Sequence, residues 1–258
     1  MIRQLVSGLL LVLALPIPGK GQAILNIEGL QGAAVEGLHG ELSGRFRLAS
    51  GNTDLKQLGA DLGIGFLSQR HWVRSYVGLD RIEQKGKDIL DNRYLHLRYN
   101  LILSQQARTF HFFQLQSNEN LLLDRRLLLG SGARLRILGG EESRLEVGTG
   151  LMMEWERLNQ AKLEAGEEAD TEALRMANLV VGSGSFGEGR SWVTVIYYQP
   201  NVQRFGDYRL SGEVGLGVAL ISSLQLDLAF TWRHDSRAPA GLDEDDLGLK
   251  TGFTYRIG

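Results

Sequence analysis

The chain of 258 residues contains no cysteine. Without this residue the protein has no disulfide, no thiol nucleophile, no thiolate metal ligand and no lipidated N-terminal cysteine. Proline is scarce as well, with 4 residues against 33 glycines, so the glycine content differs from the combined glycine and proline bias of disordered chains. The formal net charge of -2 gives no reason to expect nucleic acid as a partner.

Long apolar runs are missing too, apart from one at the N-terminus. The stretch "MIRQLVSGLLLVLALPIPGKGQA" has Arg3, an apolar run from Leu5 to Leu15 and a small-residue site ending at Ala23, as in a secretory signal peptide. The run is too short for a membrane helix, which needs about 20 residues. We therefore expect a cleaved signal peptide at 1–23, a short N-terminal segment at 24–35 and one domain at 36–258.

Apolar and polar residues alternate along most of the mature chain. In "LSGRFRLASGNTDLKQLGADLGIGF", from Leu42 to Phe66, large apolar residues share one parity while glycines and polar residues share the other. A period of two, interrupted by a turn, is typical of paired strands with one apolar and one polar face. We count about twelve strands of this kind. The less regular ones lie near 72–82, 109–118, 174–184 and 191–199.

The connections alternate between short and long. "SQRH", "SQQAR" and "GGEES" are short, whereas "EQKGKDILDN", "SNENLLLDR" and "HDSRAPAGLDEDD" are long. Short turns at one end and long loops at the other are typical of outer-membrane barrels, in which the apolar face contacts lipid and the polar face the lumen. The sequence therefore predicts an all-β fold, a transmembrane antiparallel up-and-down β-barrel of about 12 strands in the cell outer membrane.

Four stretches also resemble a known family. "SGNTD" at 50–54, "DRRLLLGSGARLRIL" at 124–138, "GDYRLSGEVGLGVAL" at 206–220 and "HDSRAPAGLDEDDLGLKTGFTYRI" at 234–257 are similar to the salt-induced outer-membrane protein family, a bacterial domain of unknown function. The resemblance implies an outer-membrane β-barrel, and only the family's name connects it with salt or osmotic stress. The chain departs from the usual pattern by ending in Ile257 and Gly258 instead of a terminal aromatic residue.

Charged residues of the polar parity are the main functional candidates. One interpretation is structural, with cross-strand ion pairs that brace the interior. The other is a pore whose excess of positive charge favours anionic solutes. The mixed signs favour bracing, and both can hold in part. The short "GGEES" turn predicts that Arg136 pairs with Glu146. The pore-lining candidates are Arg45, Arg47, Asp61, Arg74, Asp80, Arg98, Arg134, Arg136, Glu146, Glu154, Arg209, Glu213, Asp227, Arg233, Lys250 and Arg256.

Four further motifs have ordinary structural interpretations. "GSGSFG" at 182–187 matches a dinucleotide loop in letters, but a turn and a strand follow it in place of a helix. "HDS" at 234–236 holds triad-type residues, yet strand neighbours point to opposite faces. "DEDD" at 243–246 lacks the spacing of a calcium loop and indicates a solvated acidic loop. "RLNQAKLEAGEEADTEALRMA" at 157–177 has helix-forming composition and indicates a mobile external loop.

Three hypotheses about function remain. The favoured one is a narrow pore or stress-related envelope component with a charge-lined lumen and no catalytic centre, metal or cofactor. The second is an outer-membrane lipid hydrolase that uses Ser236 or another loop serine. The third is a closed structural barrel that binds a partner through its external loops. Expected partners are outer-membrane lipid, lipopolysaccharide and the barrel-assembly machinery, and the sequence does not indicate the oligomeric state.

Overall fold

The computed structural model describes residues 36–49, 55–84, 87–140 and 143–257, and the expected signal peptide lies outside them. These residues form a sheet of thirteen strand segments and two short 3-10 helices, Glu119–Leu121 and Gln160–Lys162. No helix in this part of the chain is long and apolar enough to cross a membrane. The strands are β1 Gly37–Ala49, β2 Leu55–Ser68, β3 His71–Gln84, β4 Lys87–Leu101, β5 Ala107–Asn118, β6 Leu123–Gly139, β7 Ser143–Leu158, β8 Asp170–Met176, β9 Asn178–Ser185, β10 Arg190–Pro200, β11 Tyr208–Ile221, β12 Leu224–Asp235 and β13 Asp245–Ile257.

The sheet closes on itself. Strands that follow one another pair antiparallel, and β1 pairs with β13 from Gly40 opposite Ile257 to Gly44 opposite Phe253. Strands β8 and β9 both pair with β7 and are separated only by Ala177, so they form one interrupted strand. The protein is therefore a closed antiparallel β-barrel with twelve strand positions, which confirms the predicted fold class.

The two ends of the barrel differ. At the short-turn end, connections such as 69–70 and 222–223 have two residues, whereas at the long-loop end 159–169 and 236–244 are longer. Two predicted loops are wrong in extent, since β3 and β4 fill most of "EQKGKDILDN" and β8 fills 170–176. Cross-strand pairs beyond the apolar band support such extensions, as Lys56 and Glu83 show at 3.0 Å.

The faces of the barrel are inverted relative to a water-soluble protein. On β2 the side chains of Leu62 and Ile64 are 46% and 49% exposed, whereas Asp61 between its apolar neighbours is only 8% exposed. An apolar outer surface with polar groups inside is the arrangement of a membrane barrel. Inward glycines leave room for larger side chains, because a Cβ on Gly63 would lie 2.5 Å from the Tyr76 ring.

Candidate functional site in the lumen

The polar parity of the strands does face the lumen. Arg136 and Lys250 are nevertheless exposed, and the side chain of Arg47 lies outside the described residues. The buried candidates are Asp61, Arg74, Arg98, Arg134, Glu146, Glu154, Arg209 and Arg233, and the half-buried ones are Arg45, Asp80, Glu213, Asp227 and Arg256. Structurally, these residues form separate clusters at different heights.

An ion-pair network, which we call the upper network, fills the lumen near the long-loop end. Arg209 on β11 binds Glu154 and Glu156 on β7, with 3.2 Å to Glu156, and also Asp235 at 2.8 Å. Because β8 and β10 separate β7 from β11 at this height, the contact joins strands that do not pair with each other. Arg209 therefore connects two parts of the wall that the strand ladder does not join directly.

Two more arginines complete the upper network. Arg126 on β6 lies 2.5 Å from Glu156, and Arg175 on β8 lies 3.0 Å from Glu154. Arg175 also reaches Asp207 at 2.9 Å. Three arginines thus face four carboxylates, and signs are nearly balanced. Because every partner is buried and bonded, the network braces this half of the barrel.

A second cluster braces β1 to β4. Arg45 donates to Asp61 at 2.5 Å and to Asp80 at 2.9 Å, and the Tyr94 hydroxyl donates to Asp61 at 2.7 Å. Sequence parity placed Arg45, Asp61 and Asp80 on one face, but only the register shows that they meet.

Glu146 is a shared carboxylate near the short-turn end. The register places Arg136 directly opposite it, at 3.7 Å between side-chain atoms. Arg134 and Arg108 lie closer, at 2.5 and 2.6 Å, and both are more deeply buried than Arg136. Arg108 was missed because its strand, β5, is among the irregular ones.

One side of the interior is apolar, a feature that the prediction of a charge-lined lumen did not include. This apolar cluster lies on the inward faces of β5 to β10. Its members are Phe110, Phe112, Leu128, Met152, Ala177, Leu179, Val181, Val195 and Tyr197. The strands that hold most of them are the less regular ones, because apolar residues on both faces remove the alternation. The loss of alternation in these strands is therefore the sequence pattern that indicates apolar side chains inside the lumen.

The wall made by β11 to β13 is open by comparison. Its inward face carries Gly215, Ala229 and Gly252, and Lys250 stands opposite Ala229 with an exposed side chain. No described residue forms a hydrogen bond or ion pair with the Lys250 ammonium. Because Gly215, Ala229 and Gly252 are half-buried and Lys250 is exposed, the middle of this wall is less tightly covered than the inward faces of β5 to β10.

The residues of the sequence motifs have structural partners in the described part of the chain. The Ser236 hydroxyl accepts from the Tyr208 N–H at 2.8 Å and donates to the Gly206 carbonyl at 3.1 Å, while His234 pairs with Asp245. His234 and Asp235 thus end β12, and Ser236 connects the loop that follows with the start of β11. Within the described chain, no group of acidic and histidine residues is arranged to hold a metal ion. "GSGSFG" ends β9 and enters a hairpin.

One contact on the outer surface was not foreseen. The Ser131 hydroxyl lies 2.9 Å from His111 Nδ1, and His111 Nε2 lies 3.1 Å from the Thr109 hydroxyl. The Tyr99 ring stacks on His111 with 5.8 Å between ring centroids. Strands β5 and β6 bring Ser131 and His111 together across 20 positions, so no local motif reveals the pair.

Comparisons with known proteins agree with the fold. Residues 44–257 match the family described as protein of unknown function, DUF481, and no curated protein matches the chain. The chain is similar to the translocator domain of the autotransporter NalP from Neisseria meningitidis, at 12% identity over 84% of this chain and 86% of that one, with a TM-score of 0.50. It is also similar to the NanC porin, at 10% identity over 85% and 100%, with a TM-score of 0.50. At such identities the likeness concerns the barrel fold.

Proposed function

The chain belongs to the DUF481 family, and we propose that it is an outer-membrane barrel with a narrow water path and no catalytic centre. The apolar outer surface, the short and long ends and the likeness to porin and translocator barrels support this location. Most of the lumen is filled, by the upper network at one height and by the apolar cluster on one side. What is left for solute is a path beside β11 to β13.

The main observation in favour of this proposal is the wall formed by β11 to β13. Alanine and glycine line this wall, whereas β5 to β10 place phenylalanine, leucine and methionine in the lumen. Lys250 is exposed although its side chain belongs to the inward-facing set. Glu213 and Asp227 are half-buried on the same wall. A path with both signs of charge has weak ion selectivity, since opposite charges cancel each other's field.

Planar-bilayer recording of the refolded protein tests the path. Ala229→Trp places a large ring on the open wall and is expected to abolish most of the conductance. Leu228→Trp is the matched control, because Leu228 is the next residue on the same strand, is 40% exposed and faces outward. Equal conductance in both variants would contradict the path, and a silent wild-type barrel would favour the closed structural barrel that binds a partner through its loops.

A role in salt stress rests on the family resemblance alone, and we propose it as a separate hypothesis. Growth of a deletion strain at high and low salt is the direct test. Contacts with lipopolysaccharide and assembly by the barrel-assembly machinery are proposed on the same footing. Unchanged growth of the deletion strain at every salt concentration would count against the stress role without affecting the pore.

The second candidate function is lipid ester hydrolysis at Ser131. The observation in its favour is the contact between a serine hydroxyl and a histidine on the lipid-facing surface. Two features oppose it: no described carboxylate orients His111, and Ser131 is paired with both β5 and β7, which leaves no backbone amide there for an oxyanion. We expect no fluorophosphonate labelling of the wild type. Labelling that Ser131→Ala removes and Ser75→Ala does not would establish the hydrolase instead.

A further inference from the structure

The loop 159–169, between β7 and β8, is fastened at its base to the rim of the barrel. The Leu158 N–H donates to the Ala169 carbonyl at 2.7 Å, so the two ends of the loop are joined. The Asn159 N–H donates to the Leu122 carbonyl at 2.7 Å, which ties the first residue of the loop to the start of β6. The loop therefore leaves the wall and returns to it on the same side of the mouth.

Leu163 turns this loop toward the lumen. Its side chain packs against the buried cluster Leu121, Leu123 and Leu158. Leu158 lies two positions after Glu156 on β7, so the two side chains share the inward face of that strand, and Leu158 is 8% exposed. The loop must therefore bend inward at the long-loop end to bring Leu163 into contact with the inner face of the wall.

Glu167 connects the same loop with the loop 236–244, which joins β12 to β13. One carboxylate oxygen accepts from the Glu164 N–H at 2.9 Å, and the other accepts from the Ala240 N–H at 2.8 Å. Strands β10 and β11 separate β8 from β12 at this end of the barrel. From its base on β7, the loop 159–169 thus reaches a part of the rim to which its own strands are not paired.

The loop 236–244 presents the Ala240 N–H from a defined position. Ser236 ties the start of this loop to the start of β11 through two hydrogen bonds. The Leu242 N–H donates to the Pro239 carbonyl at 3.0 Å, and Gly241 has a φ of 80°, as in a type II turn with Ala240 at its second position. The acceptor Glu167 therefore meets a fixed donor at the upper end of the wall formed by β11 to β13.

We propose that the loop 159–169 is a strap that narrows the long-loop entrance of the path beside β11 to β13, and that Glu167 with the Ala240 N–H is its latch. Leu163 keeps the strap bent over the lumen, and the latch holds its far part against the loop at the top of the open wall. The closed and open strap differ by this one hydrogen bond, so loss of the bond shifts their populations. The inference rests on the proposed function, because a strap alters current only if the path conducts.

Single-channel recording of the refolded full-length barrel tests the latch. Glu167→Ala removes the acceptor and should raise the ratio of open to closed time by about two- to tenfold, the range for the net loss of one hydrogen bond. Glu168→Ala is the matched control, because it removes the same charge from an exposed neighbour with no hydrogen bond to a described residue. Its current should equal that of the wild type. Equal responses of the two variants would mean that charge at the mouth, and not the latch, controls the current.

Ala240→Pro breaks the latch from the opposite side and leaves Glu167 bonded within its own loop. Proline has no N–H to donate, and it is common at the second position of a type II turn, so the turn itself is kept. The variant should match Glu167→Ala in current. The double variant should show no further increase, since both changes remove the same bond. Additive increases would overturn the latch.

A cross-link should close the strap. The chain contains no cysteine, so Glu167→Cys with Ala240→Cys supplies the only two thiols. Joining them with a short, reducible bifunctional thiol reagent should lower the current below that of the wild type, and reductant should restore it. Glu119→Cys with Lys162→Cys is the matched control, because this pair, at 3.0 Å, holds the strap to its own side of the mouth. A current that changes equally with both cross-links, or with neither, would overturn the strap.

Thiol labelling separates failure of the strap from failure of the pore. With Ala229→Cys as the only thiol, a small water-soluble maleimide reports access to the open wall whether or not ions cross the whole barrel. Addition of Glu167→Ala should raise the labelling rate about twofold or more, and addition of Glu168→Ala should not. Faster labelling in barrels that never conduct keeps the strap and refutes the pore. Currents and labelling rates that do not respond to Glu167→Ala refute the strap and keep the pore.

Discussion

Glu146 shows how much a single inward residue determines. It is the shared partner of Arg108, Arg134 and Arg136, so its removal takes one buried carboxylate from three arginines at once. We expect Glu146→Ala to destabilise the barrel by about 3–5 kcal/mol, as is usual when one partner of a buried ion pair is lost. Urea unfolding in lipid vesicles measures the change.

Double-mutant cycles then separate the partners of Glu146. Coupling with Arg134, which lies at 2.5 Å and is buried, should be about 1.5 kcal/mol or more. Coupling with Arg136, at 3.7 Å with a side chain 38% exposed, should stay within about 0.2–1 kcal/mol. Equal couplings would mean that the cross-strand position, and not burial, decides the strength of these pairs.

Among the elements, the loops at the long-loop end meet across the mouth of the barrel. Glu167, between β7 and β8, accepts hydrogen bonds from the backbone N–H groups of Ala240 and Glu164 at 2.8 and 2.9 Å. These bonds hold the pKa of Glu167 below its ordinary value. The contact between the two loops therefore contributes its full stabilisation above the ordinary carboxyl pKa. This stabilisation is lost as pH falls through the lowered pKa of Glu167.

We expect Glu167→Ala at neutral pH to free the Ala240 amide and to have the same effect as acidification of the wild type. Amide hydrogen exchange at Ala240, corrected for the intrinsic rate at each pH, measures this. Glu168→Ala is the matched control, because Glu168 is an exposed neighbour with no hydrogen bond to a described residue. If Ala240 exchange responds equally to both changes, the two loops are not joined by Glu167.

The free energy cost of a new charge should depend on where along a strand, and on which face, the charge is placed. Leu62 lies in the middle of β2 and faces outward, so Leu62→Arg should destabilise the barrel by about 2–4 kcal/mol if its surroundings are lipid. Gln69→Arg, in the exposed turn after the same strand, should cost less than about 0.5 kcal/mol. Urea unfolding in vesicles measures both, and equal costs would argue against a lipid-facing β2.

How far sequence predicts these elements depends on what each face touches. Alternation identified β2 well, because Leu62 contacts the outside and Asp61 the lumen. It identified β5 and β10 poorly, because the inward-facing Phe112 and Val195 are apolar like their outward-facing neighbours, which removes the alternation. Strand ends were misplaced at β3 and β8, since pairing such as that of Lys56 with Glu83 extends strands where no apolar pattern marks them.

For the molecule as a whole, contacts that cross the lumen are the part least accessible to sequence. Parity assigns Glu154 and Arg209 to the inner face, yet it gives no distance between strands that are not neighbours. The same holds for Trp72 on β3 and Arg108 on β5, whose guanidinium lies 5.5 Å from the Trp72 ring centroid. The wall of the barrel is therefore predictable from a period of two, while its filling depends on tertiary packing.

Because the side chains in the lumen join strands that do not pair with each other, we expect them to contribute to the stability of the whole barrel. The mature chain should fractionate with the outer membrane and migrate as a compact band on unheated gels that shifts on heating. Arg209→Ala breaks the connection between β11 and β7 and should lower the conversion temperature by roughly 10 °C, since a broken buried pair costs about 3 kcal/mol or more.

Arg204→Ala is the matched control for this loss. Arg204 is a loop arginine whose side chain is 62% exposed and 3.9 Å from Asp207, so its removal should leave the conversion temperature nearly unchanged. If the two variants convert at the same temperature, strand pairing around the wall holds the barrel without help from the lumen. Recovery of the protein as a soluble periplasmic species would contradict the membrane barrel itself, because its outer surface of half-exposed leucine, valine and phenylalanine needs lipid.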